Sequence, residues 1–271
     1  MKSCLNQNTL RTTATDTFLR AARRAEFDAV ELTMGMVEPI IDKGVISQLK
    51  RTIEDNGLAV ASINGPENFN LLAEQEFERL LSRIRKLAMA SREIGCNLLV
   101  PVPSVLKDHA SRQRIVTQTA QSLKKLSETC GEDIRLGLEF LGQQECSVNN
   151  LDTAVETISL LAKRNVGLVV DSFHMHLSGT AFSELAKIQG DRIFLVHVND
   201  SEKGDRSKLS DANRVLPGEG IMDLPEFKAS LARVGYDAFV SLELFRKSYW
   251  EQDPDEVAKI GRESLRRVFG V

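Results

Sequence analysis

Eight short apolar runs recur along the chain, and segments of helical period lie between most of them. The runs cover Ser3–Gln7, Ala29–Leu32, Leu58–Ile63, Asn97–Val102, Ile134–Glu139, Val166–Asp171, Ile193–Val198 and Ala238–Glu243. The clearest intervening helix carries Phe77, Leu80, Leu81, Ile84, Leu87 and Ala88 as a stripe, with Arg83, Arg85 and Lys86 around it. Gly57, Gly95 and Gly131 read as helix stops. Another helix starts at Asn150, and the last begins near Pro254-Asp255-Glu256. Strands that are continuously apolar are buried on both faces, which calls for a parallel sheet covered by helices. Eight strand–helix repeats favour closure into a (β/α)₈ TIM barrel over an open doubly wound sheet. A barrel of ~250 residues is one domain, so residues 1–271 are read as a single domain.

Charge and composition narrow the function. A net charge of −3 provides no broad basic face for nucleic acid and no polybasic patch for a membrane. No apolar run approaches the ~20 residues of a membrane-spanning helix. Met1-Lys2-Ser3-Cys4-Leu5-Asn6 lacks the long apolar core of a signal peptide, so a cytoplasmic location is expected. Cys4, Cys96, Cys130 and Cys146 are far apart and form no C-x-x-C pair; free, buried thiols serving as apolar filler are the simpler reading. The phosphate-binding and nucleophile-elbow motifs G-x-x-x-x-G-K-[ST], G-x-G-x-x-G and G-x-S-x-G are absent.

The runs of the second half end in chemistry. Glu139, Asp171 and Glu243 close the fifth, sixth and eighth runs, His197 closes the stretch Ile193-Phe194-Leu195-Val196-His197 in the seventh, and the four are read as the last residues of strands five to eight. One polar residue at a strand exit is ordinarily a solvated or ion-paired rim group. Four on consecutive strands, ~4.8 Å apart, converge at the shared mouth of a barrel. Three carboxylates and an imidazole suit one divalent ion, Mn, Zn, Mg or Co. Around them, His174 is a substrate-binding candidate, Glu145 and Arg246 stand in loops past the ligands, and Arg214 precedes a Pro-Gly turn. Either arginine could bind substrate oxygens or balance the acidic shell. Asn6, Glu31 and Asn64, at the ends of the first three strands, could bind hydroxyls. His176 could orient another side chain.

Such a site favours proton transfer next to a ketone. The ion acidifies the C–H between a carbonyl and a neighbouring hydroxyl and stabilises the enediolate. Glu139 and Glu243, from strands that are not neighbours, can serve as the acid–base pair, one on each face. The expected partner is a small-molecule polyol or keto sugar, with room for a homo-oligomer. The connection 199–223 is expected to fold over the mouth as a lid.

The stretches Leu138-Glu139-Phe140, Val166-Gly167-Leu168-Val169-Val170-Asp171-Ser172-Phe173-His174-Met175-His176, Arg214-Val215-Leu216-Pro217-Gly218-Glu219-Gly220 and Ser241-Leu242-Glu243-Leu244-Phe245 carry a resemblance. Across nearly its whole length the chain resembles the xylose-isomerase-like superfamily of sugar isomerases and epimerases, most closely its inosose isomerase subgroup. The resemblance implies a metal at Glu139, Asp171, His197 and Glu243, with the two glutamates moving protons. Substrate-binding residues of related ketose epimerases match Glu145 and His174. Their arginine six residues past the ligand histidine is not matched, since Lys203 stands there; Arg214 is the candidate replacement.

Other readings use the same barrel. A metal-dependent dehydratase of inosose or dehydroshikimate type would eliminate water from the same enolate. A ketose 3-epimerase or hydroxypyruvate isomerase would keep the proton chemistry and change the substrate. A polyol-binding barrel would keep the fold without turnover. An abasic-site endonuclease needs several metals and a basic groove, which four histidines and a net negative charge oppose.

Overall fold

The computed structural model describes residues 1–11, 13–106 and 109–271. Its parallel strands are β1 Lys2–Asn6, β2 Ala29–Thr33, β3 Ala59–Glu67, β4 Leu98–Val102, β5 Arg135–Glu139, β6 Val166–Asp171, β7 Ile193–Val198 and β8 Phe239–Leu242. They close into a barrel in the order β1-β8-β7-β6-β5-β4-β3-β2, as the alternation predicts. The closing seam is regular: Lys2 to Leu5 of β1 pair with Phe239 to Leu242 of β8.

The helices form where apolar stripes, caps and stops agree. Helix Glu74–Glu93 buries the predicted Phe77, Leu80, Leu81, Ile84, Leu87 and Ala88. It is followed by Gly95 at φ +73°, a left-handed position that glycine takes without strain. Asn150 caps helix Leu151–Ser159, its side chain accepting from the Thr153 N–H at 2.9 Å. The final helix, Pro254–Phe269, is capped by Asp253 and packs against helix Thr15–Arg24. No helix among the described residues is long and apolar enough to cross a membrane.

Two apolar layers result. The larger lies between the sheet and the helices. The smaller contains Cys4, Ala29, Val169 and Leu195. Each of these stands two residues before Asn6, Glu31, Asp171 and His197, so strand alternation puts it on the same face. This layer is therefore the dry floor on which the polar mouth rests. All four cysteines are buried and free.

The connection after β7 is cross-braced within itself. Asp200–Ser201 pairs antiparallel with Arg214–Val215, forming a short ribbon. Buried Asp200 then accepts backbone N–H groups from Gly218 at 3.1 Å and Met222 at 2.9 Å. The turn comes so close that a Cβ on Gly220 would lie 2.3 Å from the Ser201 carbonyl oxygen. This segment forms a braced strap that carries Arg214 inward to Asp171 and Glu243.

Candidate metal centre

Glu139 and Asp171 are the last residues of β5 and β6. The expectation that His197 and Glu243 also end their strands needs a small correction. His197 is followed by Val198 within β7, and Glu243 lies one residue past β8. The register explains why all four still meet. Asp171 pairs directly with His197, and the Glu243 N–H donates to the Val198 carbonyl at 3.2 Å. One ligand atom from each of the four lies within 4.8 Å of every other, and all four side chains are buried. Nδ1 of His197 is 2.8 Å from Glu139 Oε1, 3.3 Å from Glu243 Oε2 and 4.0 Å from Asp171 Oδ2.

Behind the histidine stands Glu31, read from the sequence as a hydroxyl binder. It is fully buried, and one of its carboxylate oxygens lies 3.0 Å from His197 Nε2. The Ser62 and Ser241 hydroxyls donate to it, and so does Asn6 Nδ2 at 3.0 Å. A carboxylate on the far nitrogen of a ligand histidine fixes its tautomer and ring orientation. Asn6, the second expected hydroxyl binder, is also consumed within the protein. Its amide bridges Glu31 and Glu243 Oε1, the latter at 2.9 Å. A row across three strands makes this layer, since Asn6 pairs with Glu31 and Glu31 with Ser62.

Arg214 is buried and balances the shell. Nη1 donates to Asp171 Oδ2 at 2.6 Å and to Glu243 Oε2 at 3.1 Å, while Nη2 reaches Asp211 at 2.7 Å. The guanidinium also lies over the rings of Phe173 and Phe245, at 5.0 and 5.1 Å. Four buried carboxylates, Glu31, Glu139, Asp171 and Glu243, thus share one guanidinium and one imidazole.

The shortage of positive charge shows in the proton affinities. Burial pushes the Glu243 carboxyl up to about 8, with Glu139 and Asp171 adding to the push against His197 and Arg214. Burial works the same way on Asp171, but Arg214, His174 and His197 hold that carboxyl well below the usual range. Burial opposes charge on His197 too, yet Glu243, Glu31 and Glu139 raise its imidazole well above the ordinary value. The shell draws a proton onto its own histidine, as an anionic cage short of a cation must. A hard-oxygen and imidazole donor set of this charge fits one divalent ion, and a cation held by these four residues would displace that proton.

Other predicted residues divide. His174 is buried, with Nε2 3.1 Å from Arg214 Nη2. Burial lowers its proton affinity despite Asp171. A guanidinium only donates, so Nε2 accepts and the proton sits on Nδ1, which has no partner. Asn64 donates to Glu243 Oε1 at 3.3 Å. Glu145 is exposed on its loop and stands outside the ligand cluster. Arg246 is committed to Glu202 at 2.6 Å and to Ser248, so a direct role at the ligands is not supported. Lys203 is exposed, and His176 Nε2 is buried without a partner, so no side chain is seen to be oriented by it. Sequence reasoning missed Asn199, whose amide donates to Asp171 at 3.2 Å. It also passed over Gln7, fixed by Thr33 beside the mouth; a polar residue directly after a strand was the available signal.

Comparison with known proteins agrees with this geometry. Inosose isomerase of Bacillus velezensis is 28% identical over 271 residues, covering 99% of this chain and 97% of that protein. Inosose isomerase of Bacillus subtilis (strain 168) is 27% identical, covering 97% and 96%. A crystal structure of IOLI protein with a bound zinc atom superposes with a TM-score of 0.95 at 26% identity, covering 100% of this chain and 98% of that one. Residues 19–268 match the family model described as xylose isomerase-like TIM barrel. With its closed eight-stranded barrel and its acidic shell at the strand exits, the chain belongs to the xylose isomerase-like TIM barrel family.

Proposed function

We propose that the chain is a divalent-metal-dependent isomerase of keto-polyols, with inosose (2-keto-myo-inositol) as substrate, a reaction of inositol catabolism. The observation that carries the reading is the convergence of two glutamates from non-neighbouring strands, Glu139 and Glu243, on one buried four-ligand cluster. Near-full-length similarity to inosose isomerases supports the choice of substrate.

Glu139, Asp171, His197 and Glu243 would hold the ion. When bound, a divalent ion supplies the Lewis acidity that weakens the C–H between a ketone and its neighbouring hydroxyl. The protein then needs a base, an acid and a means of fixing the substrate oxygens. Glu139 Oε1 faces His197, whereas Oε2 has no hydrogen-bond partner among the described residues. That oxygen would take the proton from carbon. Glu243, reaching the cluster from a non-neighbouring strand, would be the acid on the other side. The proton removed from one carbon is replaced by one delivered to the adjacent carbonyl carbon. A hydroxyl proton crosses between the two oxygens, so the carbonyl moves by one position and no atom is gained or lost. The Nδ1–H of His174 is an unused buried donor suited to a substrate oxygen. Arg214 keeps Asp171 and Glu243 in place while the charge moves.

Proton NMR of metal-loaded protein with inosose tests the reading. The expected product is an isomeric inosose with all its hydroxyls. A dehydrated product would replace isomerase by dehydratase, and no reaction across inososes and ketohexoses would remove the reading.

A further inference from the structure

Beside the ligand cluster, a cleft of about 670 Å³ lies between the last residues of β3 and the segments that follow β1 and β2. Gln7, Asn8 and Asn64 line it. We propose that this cleft reads the remote hydroxyls of an uncharged polyol, with Gln7 as the specificity-determining donor. This inference rests on the keto-polyol reading above and adds the residues that recognise the part of the substrate away from the ketone.

The orientation of each amide follows from its partners. The Thr33 backbone N–H donates to Gln7 at 3.0 Å, and the Thr33 hydroxyl donates to the same atom at 3.1 Å. A backbone N–H cannot accept, so that atom is Oε1. Gln7 therefore presents Nε2, whose two N–H groups have no partner among the described residues, although only 6% of the side chain's residue surface is exposed. A largely buried, anchored amide with free donors is what a site for a hydroxyl oxygen requires.

Asn8 and Asn64 supply the complementary polarity. Each points Nδ2 at Glu243 Oε1, at 3.4 and 3.3 Å. Their Oδ1 atoms have no donor among the described residues and remain as acceptors. Asn8 is fixed further by the Trp250 indole N–H, which donates to its carbonyl at 2.8 Å. Donor and acceptors thus sit side by side next to a proposed catalytic carboxylate. A hydroxyl both donates and accepts, so a ring carrying neighbouring hydroxyls matches this surface. Of the two cations that line the cleft, Arg83 is held by both oxygens of Glu38 at 2.7 and 2.8 Å and the Arg11 guanidinium lies over the Trp250 ring at 5.5 Å, so neither is set up as a dedicated anion partner.

The test uses the metal-loaded full chain with Gln7→Glu and Gln7→Leu. The first keeps an oxygen for Thr33 and removes the donors; the second removes both. Readouts are KM and kcat for inosose, the Kd of unreactive myo-inositol by calorimetry, and metal content. We expect KM and Kd to rise about 10-fold, the worth of one hydrogen bond in a site, with a smaller fall in kcat and with metal content retained. Wild-type KM and Kd in both variants would overturn the cleft assignment and leave the isomerase reading standing. Weakened myo-inositol binding in the variants of a protein that never turns inosose over would keep the cleft and overturn the isomerase reading. A wild-type protein that neither binds myo-inositol nor converts inosose would overturn both.

Discussion

The two halves of the barrel mouth solve different problems. From β5 to β8 the strand exits carry charge: Glu139, Asp171, His197 and Glu243, with Arg214 brought in by the strap. From β1 to β3 the buried groups are mostly neutral: Asn6, Gln7 and Ser62 around the buried carboxylate Glu31, with Asn8 and Asn64 beside them and the exposed Glu67 at the end of β3. The charged half is in conflict with itself, since Glu243 is driven toward its protonated form while Asp171 is held ionised. The amide half is in balance, because its groups satisfy one another or present free N–H and C=O to the cleft. Charges gather where a cation must be held, and amides where orientation must be set without adding charge.

The largest contrast between the halves is expected in metal content. Asp171→Ala and His197→Ala should lose the ion and activity together, because each removes one of four ligands. Elemental analysis checks this; full metal content in both variants would reject the centre. Asn64→Ala should keep its metal, and equal loss there would erase the distinction between the halves.

Within the charged half, Glu139→Gln or Glu243→Gln should slow proton exchange at the substrate carbon by about 10²–10⁴-fold, as for loss of a general acid–base. An amide oxygen can remain a weak ligand, so metal content should fall far less than in Asp171→Ala. If Glu243→Gln exchanges at the wild-type rate while His174→Ala does not, the histidine is the base.

Arg214→Ala sharpens the charge account. It leaves Asp171 and Glu243 without their guanidinium, and breaking a buried pair from one side costs about 3–5 kcal/mol. Calorimetric unfolding should show most of that loss in metal-free protein and less at saturating metal, since both cations oppose the same repulsion. An equal loss in the two states would show that Arg214 serves packing against Phe173 and Phe245 alone. Turnover or substrate binding should weaken while the metal stays.

The smallest effect tests how the neutral half supports the charged one. Glu31→Gln should weaken metal binding about 10–100-fold, the usual range for a partner behind a ligand histidine. Unchanged affinity by metal titration would mean that His197 is oriented by the barrel alone.

The fold and the convergence of the four candidate ligands were legible because both rest on periodicity. Apolar runs announce strands, and a polar residue ending such a run announces the mouth. The offset of Glu243, one residue past β8, was not legible, since where a strand stops pairing depends on its neighbours in the barrel. Glu31 and Asn6 looked like open hydroxyl binders; only the row pairing Asn6, Glu31 and Ser62 shows that they face inward onto the ligands. Arg214 lies 43 residues from Asp171 in sequence, and its place is set by a two-residue ribbon too short to leave a pattern. Glu145 and Arg246 stand on loops, where spacing carries no directional information; the first is exposed and the second is bound to Glu202.

The central claim, proton transfer beside a ketone at this metal centre, is tested most directly by deuterium uptake. Metal-loaded protein and His197→Ala are each incubated with inosose in D₂O, and the carbon next to the ketone is followed by proton NMR. The account predicts rapid loss of that proton signal with wild-type protein and only the uncatalysed rate with His197→Ala. Isomer formation without solvent deuterium, or equal uptake by the two proteins, would contradict it.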